Sequence, residues 1–183
     1  MTKSLAVRVM AMVSAVLFAG VLTVQTVSGE EKESVSSRLQ KLEDREAIRQ
    51  LLMNYGRYLD QRDFTSFSGL FAEKDGEWIG GMGKAKGRDS IRKLMESTIG
   101  NNTTGGINGP SCHVFTNEVI QVDGNRAKAV TKWMFVVQSS SKQPQPVYIG
   151  HYDDMFTRES GQWKFLRRVV YGDIPPDDPL SRK

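Results

Sequence analysis

Two histidines, one cysteine and a scatter of carboxylates are the side chains of this 183-residue chain best suited to chemistry near neutral pH. Cys112 and His113 are neighbours. On a strand they would point to opposite faces, so they cannot form a thiolate–imidazole dyad with each other. Two histidines without acids clustered at ligand spacing do not compose a metal site, and no metal or other cofactor is expected. What remains is proton transfer. Asp60 closes the amphipathic run that contains "NYGRYLDQRDF", and a helix C-terminus already carries partial negative charge. A carboxylate at that place calls for a cation. An imidazole held by a carboxylate gains basicity and a fixed tautomer, which suits it to take and return a proton. Tyr55 lies on the same helix and has a hydroxyl that can donate to a substrate oxygen. Each residue also has a plainer use: Asp60 as a turn residue, His113 and Tyr55 as packing groups.

The elements that must hold these side chains follow from periodicity. Leu42, Ile48, Leu51, Leu52, Tyr55 and Leu59 recur at helical spacing. The last five form a core-facing stripe, with Asp60 at its rim. Ser37 and Gln40 have the spacing of a capping box and predict where this helix opens. Residues 30–36, "EEKESVS", carry no apolar period and read as a linker. Asp63 is placed to cap a short second helix that buries Phe64, Phe67, Leu70 and Phe71. "EWIG" predicts a strand, and the glycine-rich "GGMGKAKG" predicts a hairpin turn, not a phosphate-binding loop. "RDSIRKLMEST" predicts a third helix. The loop that follows, residues 99–111, has the composition of a lid. Four strands are predicted after it, at 112–122, 127–139, 147–158 and 162–171, with hairpin signals in "VDGN" and "RESGQ". Residues 173–183 contain prolines that cannot continue a strand, and a flexible tail is expected there.

Helices first and a meander afterwards give an α+β fold: a cone of helices packed on one face of a curved antiparallel sheet. Alternation then assigns faces. His113, Phe115 and Asn117 share one face of their strand, as do Thr131, Trp133 and Phe135. Lys164, Leu166 and Arg168 lie opposite Trp163, Phe165 and Arg167. Aromatic side chains beside a histidine predict an apolar cavity with a few polar groups.

The formal charge is +4, with basic residues spread along the chain. No basic run is interleaved with aromatics, so no nucleic-acid partner is expected. Lys3 and Arg8 precede the apolar stretch "VMAMVSAVLFAGVLTV", and Val27 and Gly29 fit a cleavage site. Residues 1–29 therefore read as a secretory signal, giving a secreted or periplasmic protein without stable membrane insertion after cleavage. The alternative is an uncleaved anchor formed by residues 9–29. A single cysteine excludes an internal disulfide.

Four stretches carry a resemblance: "LEDREAIRQLLMNYGRYLDQRDFTSFSGLFAEKDGEW", "GRDSIRKLM", "CHVFTNEVIQVDGNRAKA" and "YIGHYDDMFTRESGQWKF". Together they resemble the SnoaL-like branch of the nuclear transport factor two-like superfamily, and a domain spanning 37–172 is expected. The resemblance implies an α+β roll of the cystatin-like kind, often dimeric through its outer sheet face, hence a homodimer. It implies a lyase, dehydratase or isomerase that uses no cofactor and acts on a small, apolar, cyclic molecule. Asp60 and His113 would be the catalytic pair, with Tyr55 and Arg168 assisting. Trp133 would contact the substrate, and Phe115, Asn117 and Tyr152 are further candidates for substrate contact apart from the resemblance. A further acid that some dehydratases carry on the Trp133 strand is replaced here by Val137. The same resemblance also admits a non-catalytic binder of small molecules, or an interaction module of the cell envelope.

Overall fold

The computed structural model describes residues 33–100 and 110–181. The predicted signal or anchor, residues 30–32 of the linker, the centre of the glycine-rich loop and the last two residues lie outside the described residues. Among the described residues no helix is long and apolar enough to cross a membrane.

Helix α1 runs from Val35 to Asp60. It opens earlier than its sequence suggests. Ser34, not Ser37, is the N-cap, and its hydroxyl accepts from the Ser37 amide at 3.1 Å. Both serines can cap, and the earlier one adds a turn of helix that absorbs part of the expected linker. The Gln40 side chain donates forward to Asp44 and does not reach back to the cap. Ile48, Leu51, Leu52, Tyr55 and Leu59 are buried as the period requires, whereas Leu42 is exposed.

Asp63 caps the short α2 (Phe64–Ser68), accepting from the Ser66 amide at 3.0 Å. Strands β1 (Glu77–Gly80) and β2 (Gly83–Lys86) form the expected hairpin, and α3 (Arg88–Thr98) follows. Then come the long strands β3 (Ser111–Asp123), β4 (Arg126–Gln138), β5 (Pro144–Glu159) and β6 (Gln162–Ile174), each antiparallel to the next. The sheet order is β2-β1-β6-β5-β4-β3. Because β1 runs parallel to β6, the sheet is mixed, with an antiparallel meander as its larger part.

The tail does not leave the sheet. Residues Pro176–Asp177 form β7, which pairs with β6 through Gly172↔Asp177 and Asp173↔Pro176. Proline is tolerated here because the strand is two residues long and lies at an edge, where a missing amide costs no central ladder bond.

The helices cover the concave face. Phe67, Phe71, Phe156 and Phe165 are fully buried beneath α1 and α2. Burial of each such side chain contributes roughly 1.5–3 kcal/mol. Two bulges decide which side chains enter this layer. One extra residue in β3 shifts the pairing between Thr116 and Val119, and Asn117 takes a left-handed φ of 54°. In β6 the pairing steps from Phe165↔Phe156 to Arg167↔Met155, leaving Leu166 as the extra residue.

Candidate functional site

Asp60 is the last residue of α1 and His113 the third of β3. The two elements come close because Gly56, one turn before Asp60, has no side chain. A Cβ there would lie 2.7 Å from the Phe115 ring and 3.5 Å from the Cβ of His113. The approach is completed by two hydrogen bonds. The His113 backbone amide donates to Asp60 Oδ2 at 3.0 Å, and His113 Nδ1 meets Asp60 Oδ1 at 2.6 Å. A carboxylate at the negative end of a helix is thus offset by an amide and an imidazole. With Nδ1–H donating to the carboxylate, Nε2 is left as an acceptor.

His113 borders a cavity of about 390 Å³. Tyr55, Trp78, Trp133, Phe135, Tyr148 and Tyr152 supply aromatic walls, with Leu59, Met82, Ile99 and Val170 between them. Tyr55 is almost fully buried, and its hydroxyl oxygen accepts from Trp78 Nε1 at 2.9 Å. Burial raises its phenol above the usual tyrosine range, against the pull of Arg168 and of that hydrogen bond. Tyr152 is likewise raised well above 10, first by burial and next by Tyr55. Both phenols therefore keep their protons through the neutral range. Arg62, in the left-handed turn after α1, also lines the cavity. Burial lowers its pKa and Asp60 pulls it back up. Among the described residues no group of three or more His, Cys, Asp and Glu could hold a metal ion.

Of the residues predicted from sequence, His113, Tyr55, Trp133 and Tyr152 line this cavity, and Asp60 reaches it only through His113. The other three stand elsewhere. Asn117 is exposed, because the β3 bulge breaks the alternation that put it beside His113 and Phe115. Phe115 is half-buried behind the wall, tilted 6.5 Å from the Tyr55 ring and edge-on to Tyr152 at 5.7 Å. Arg168 is wholly buried and does not line the cavity. The Leu166 bulge turns it to the same side as Phe165, against the expectation from simple alternation. Its Nε and Nη2 donate to Asp154 at 2.7 and 2.6 Å. Its guanidinium lies under the rings of Tyr55 and Tyr152, so it supports two cavity walls and cannot itself touch a ligand. Burial pushes the Asp154 carboxyl up, and Arg168 opposes that push.

Sequence reasoning did not find Gly56, Arg62 or Asp154. Gly56 left a signal: a glycine inside a long helix costs about 1 kcal/mol relative to alanine and calls for a packing reason. The Trp133 strand carries no acid, and Asp154 on the neighbouring strand is wholly buried against Arg168 and does not line the cavity. Val137 is buried and pairs with Ser111.

A SnoaL-like domain model matches residues 40–169. The uncharacterized protein Rv2910c of Mycobacterium tuberculosis is 27% identical over 131 residues, 70% of this chain and 85% of that protein. An NTF2-like protein with a cystatin-like fold from Novosphingobium aromaticivorans superposes with a TM-score of 0.64 at 26% identity, covering 76% of this chain and 90% of the other. A candidate scytalone dehydratase from the same organism gives 0.63 at 25% identity, covering 80% and 99%. The cone of helices on a curved sheet is therefore the NTF2-like, cystatin-like roll. With that fold and a family match running from the second turn of α1 into β6, the chain belongs to the SnoaL-like domain family.

Proposed function

We propose that this protein is a cofactor-independent lyase or isomerase acting on a small, apolar, cyclic molecule held in the aromatic cavity. The observation that carries the reading is the 2.6 Å contact between Asp60 Oδ1 and His113 Nδ1 at the wall of that cavity. His113 Nε2 takes a proton from ring carbon. The electron pair left behind either forms a double bond as a hydroxyl leaves with a proton, or is reprotonated one position along. Asp60 fixes the tautomer and stabilises the imidazolium. A 390 Å³ cavity suits a molecule of one to three rings. Similarity to a candidate scytalone dehydratase supports a dehydration.

The test is turnover of a library of cyclic alcohols and ketones by the purified protein, His113→Ala and Asp60→Asn. Loss of turnover with retained ligand binding in both variants is expected. A library bound but never turned over would make the protein a binder.

Two features from the sequence complete the proposal. Residues 1–29 export the chain, which cell fractionation tests. Two copies associate through the outer sheet face, where Val114, Val119, Val130 and Met155 are exposed; light scattering of Val130→Lys against the parent protein tests this.

A further inference from the structure

Helix α1 is longer than the fold it serves. Asp44 is its first buried residue, and from Val35 to Glu43 every residue is exposed except Ser37, which is half-buried. An isolated helix of fewer than about 12–15 residues is marginal in water. These turns therefore call for a surface to lie on. Their apolar side chains mark the side to be covered. Val35, Leu39 and Leu42 are 78%, 54% and 63% exposed. At about 100° per residue they span roughly 60° of arc, opposite the buried Asp44, Ile48 and Leu51.

The steps from Val35 to Leu39 and on to Leu42 are those of a coiled-coil seam. With Leu39 at position a, Val35 and Leu42 are at d, Arg38 at g and Glu43 at e. Ser37 and Asp44 fall at f, farthest from the seam and turned toward the chain's own fold. In a parallel pair, g of one helix meets e of the following heptad on the other. Arg38 then faces Glu43 of the partner subunit, and the contact is made twice. An antiparallel pair would set the flank that bears Arg38 and Arg45 against itself. The next a and d positions hold Glu46 and Arg49, which pair with each other at 2.8 Å, and Arg49 also pairs with Glu118 of β3 at 2.8 Å. The apolar seam thus ends where the helix joins the fold.

We propose that Val35–Glu43 is an interaction surface for a second copy of this chain, pairing with the same turns of that copy in a parallel two-stranded coiled coil. Leu39 and its neighbours at d form the seam, and Arg38 and Glu43 set the register. A lipid surface is a poorer occupant, because Arg38 and Lys41 are balanced by Glu33 and Glu43 and leave no excess positive charge for anionic headgroups. The stem is a different surface from both the cavity and the outer sheet face, and the inference rests on neither.

Cys112 is the only cysteine of the chain and is exposed. The test uses the full chain with Cys112→Ser and one new cysteine at a time: Val35→Cys, Leu42→Cys or, at position c beside the seam, Lys41→Cys. Each is oxidised in a glutathione buffer, and gel electrophoresis follows the disulfide-linked dimer. Val35→Cys and Leu42→Cys should each link to a second copy of itself about tenfold faster than Lys41→Cys, since pairing raises the local thiol concentration into the millimolar range. Linking at both positions, one heptad apart, requires a parallel register. Arg38→Glu should slow both reactions, and Arg38→Glu/Glu43→Arg should restore them. Repeating the series with Val130→Lys separates the stem from the sheet face, and the ratio of rates should not change. Equal rates at all three positions would overturn the pairing and assign the stripe to a lipid surface or to a different protein. Linking only in a mixture of Val35→Cys with Leu42→Cys would overturn the parallel arrangement. A double charge variant no faster than Arg38→Glu alone would overturn the register.

Discussion

The guanidinium carbon of Arg168 lies 3.9 Å from the ring centroid of Tyr55 and 3.9 Å from that of Tyr152. One cation therefore packs against two phenols of the cavity wall, whose rings also meet edge-on at 5.6 Å, while its own charge is met by Asp154. Removing one member of such a pair leaves the other as an uncompensated buried charge. Asp154→Ala and Arg168→Met are each expected to cost about 3–5 kcal/mol. The double variant Asp154→Leu/Arg168→Met should recover much of that loss. Urea denaturation of the three proteins checks this. A double variant as unstable as the sum of the singles would contradict it.

Gly56 lets α1 approach β3. In Gly56→Ala the gain in helix propensity, about 1 kcal/mol, works against overpacking onto Phe115, typically 1–3 kcal/mol. A net loss of stability is expected, together with a longer Asp60–His113 contact. The measurement is a denaturation curve combined with the imidazole chemical shifts of His113. An unchanged histidine spectrum would show that Phe115 yields without moving β3.

Asp44 ties α1 to the sheet. It accepts from Arg158 Nη2, from Trp163 Nε1 at 3.1 Å and from Gln40 at 3.2 Å. Burial raises its pKa, but the hydrogen bonds from Trp163, Arg158 and Gln40 outweigh burial, and the net shift is downward. A carboxyl depressed on folding binds its proton more readily in the unfolded chain. Its contribution is complete above the unfolded value of about 3.9 and is lost as pH falls through the lower folded value. Thermal unfolding between pH 6 and pH 2 should show a steep acid limb that Asp44→Asn makes shallower. Identical limbs would place the acid sensitivity elsewhere.

Both histidines are held through Nδ1 by an aspartate. His151 meets Asp173 at 2.7 Å and stacks on Tyr171. It precedes Tyr152, which lines the cavity, so by strand alternation it faces the other way. His151→Ala should leave turnover unchanged. His113→Ala should reduce it by about 10²–10⁴-fold, the usual contribution of a positioned base. Assay of both variants on one substrate decides whether the cavity, and not the pairing alone, makes the base.

Much of this architecture is legible in the residue pattern, because the helix stripe, the Asp63 cap and the hairpin turns each rest on local periodicity or local bonds. The meeting of Asp60 with His113 depends on a resemblance, since no local rule links positions so far apart. Asn117 and Arg168 were misplaced for one reason. Alternation assumes an unbroken pleat, and a single extra residue in β3 or β6 reverses it. The asparagine itself was a warning, since that residue is depleted in strands and tolerates the left-handed region. The buried Asp154 did leave a signal, because period two puts it on the face of Tyr152 and Phe156, and an acid on an apolar face calls for a buried partner.

The short strand after β6 brings Asp177 and Gly172 into the cavity wall. The last strand of the fold is thus a doorpost of the chamber. Trimming the polypeptide before Pro176, or fusing a bulky reporter close behind Asp177, would reshape the entrance for incoming molecules while leaving the barrel-like framework intact.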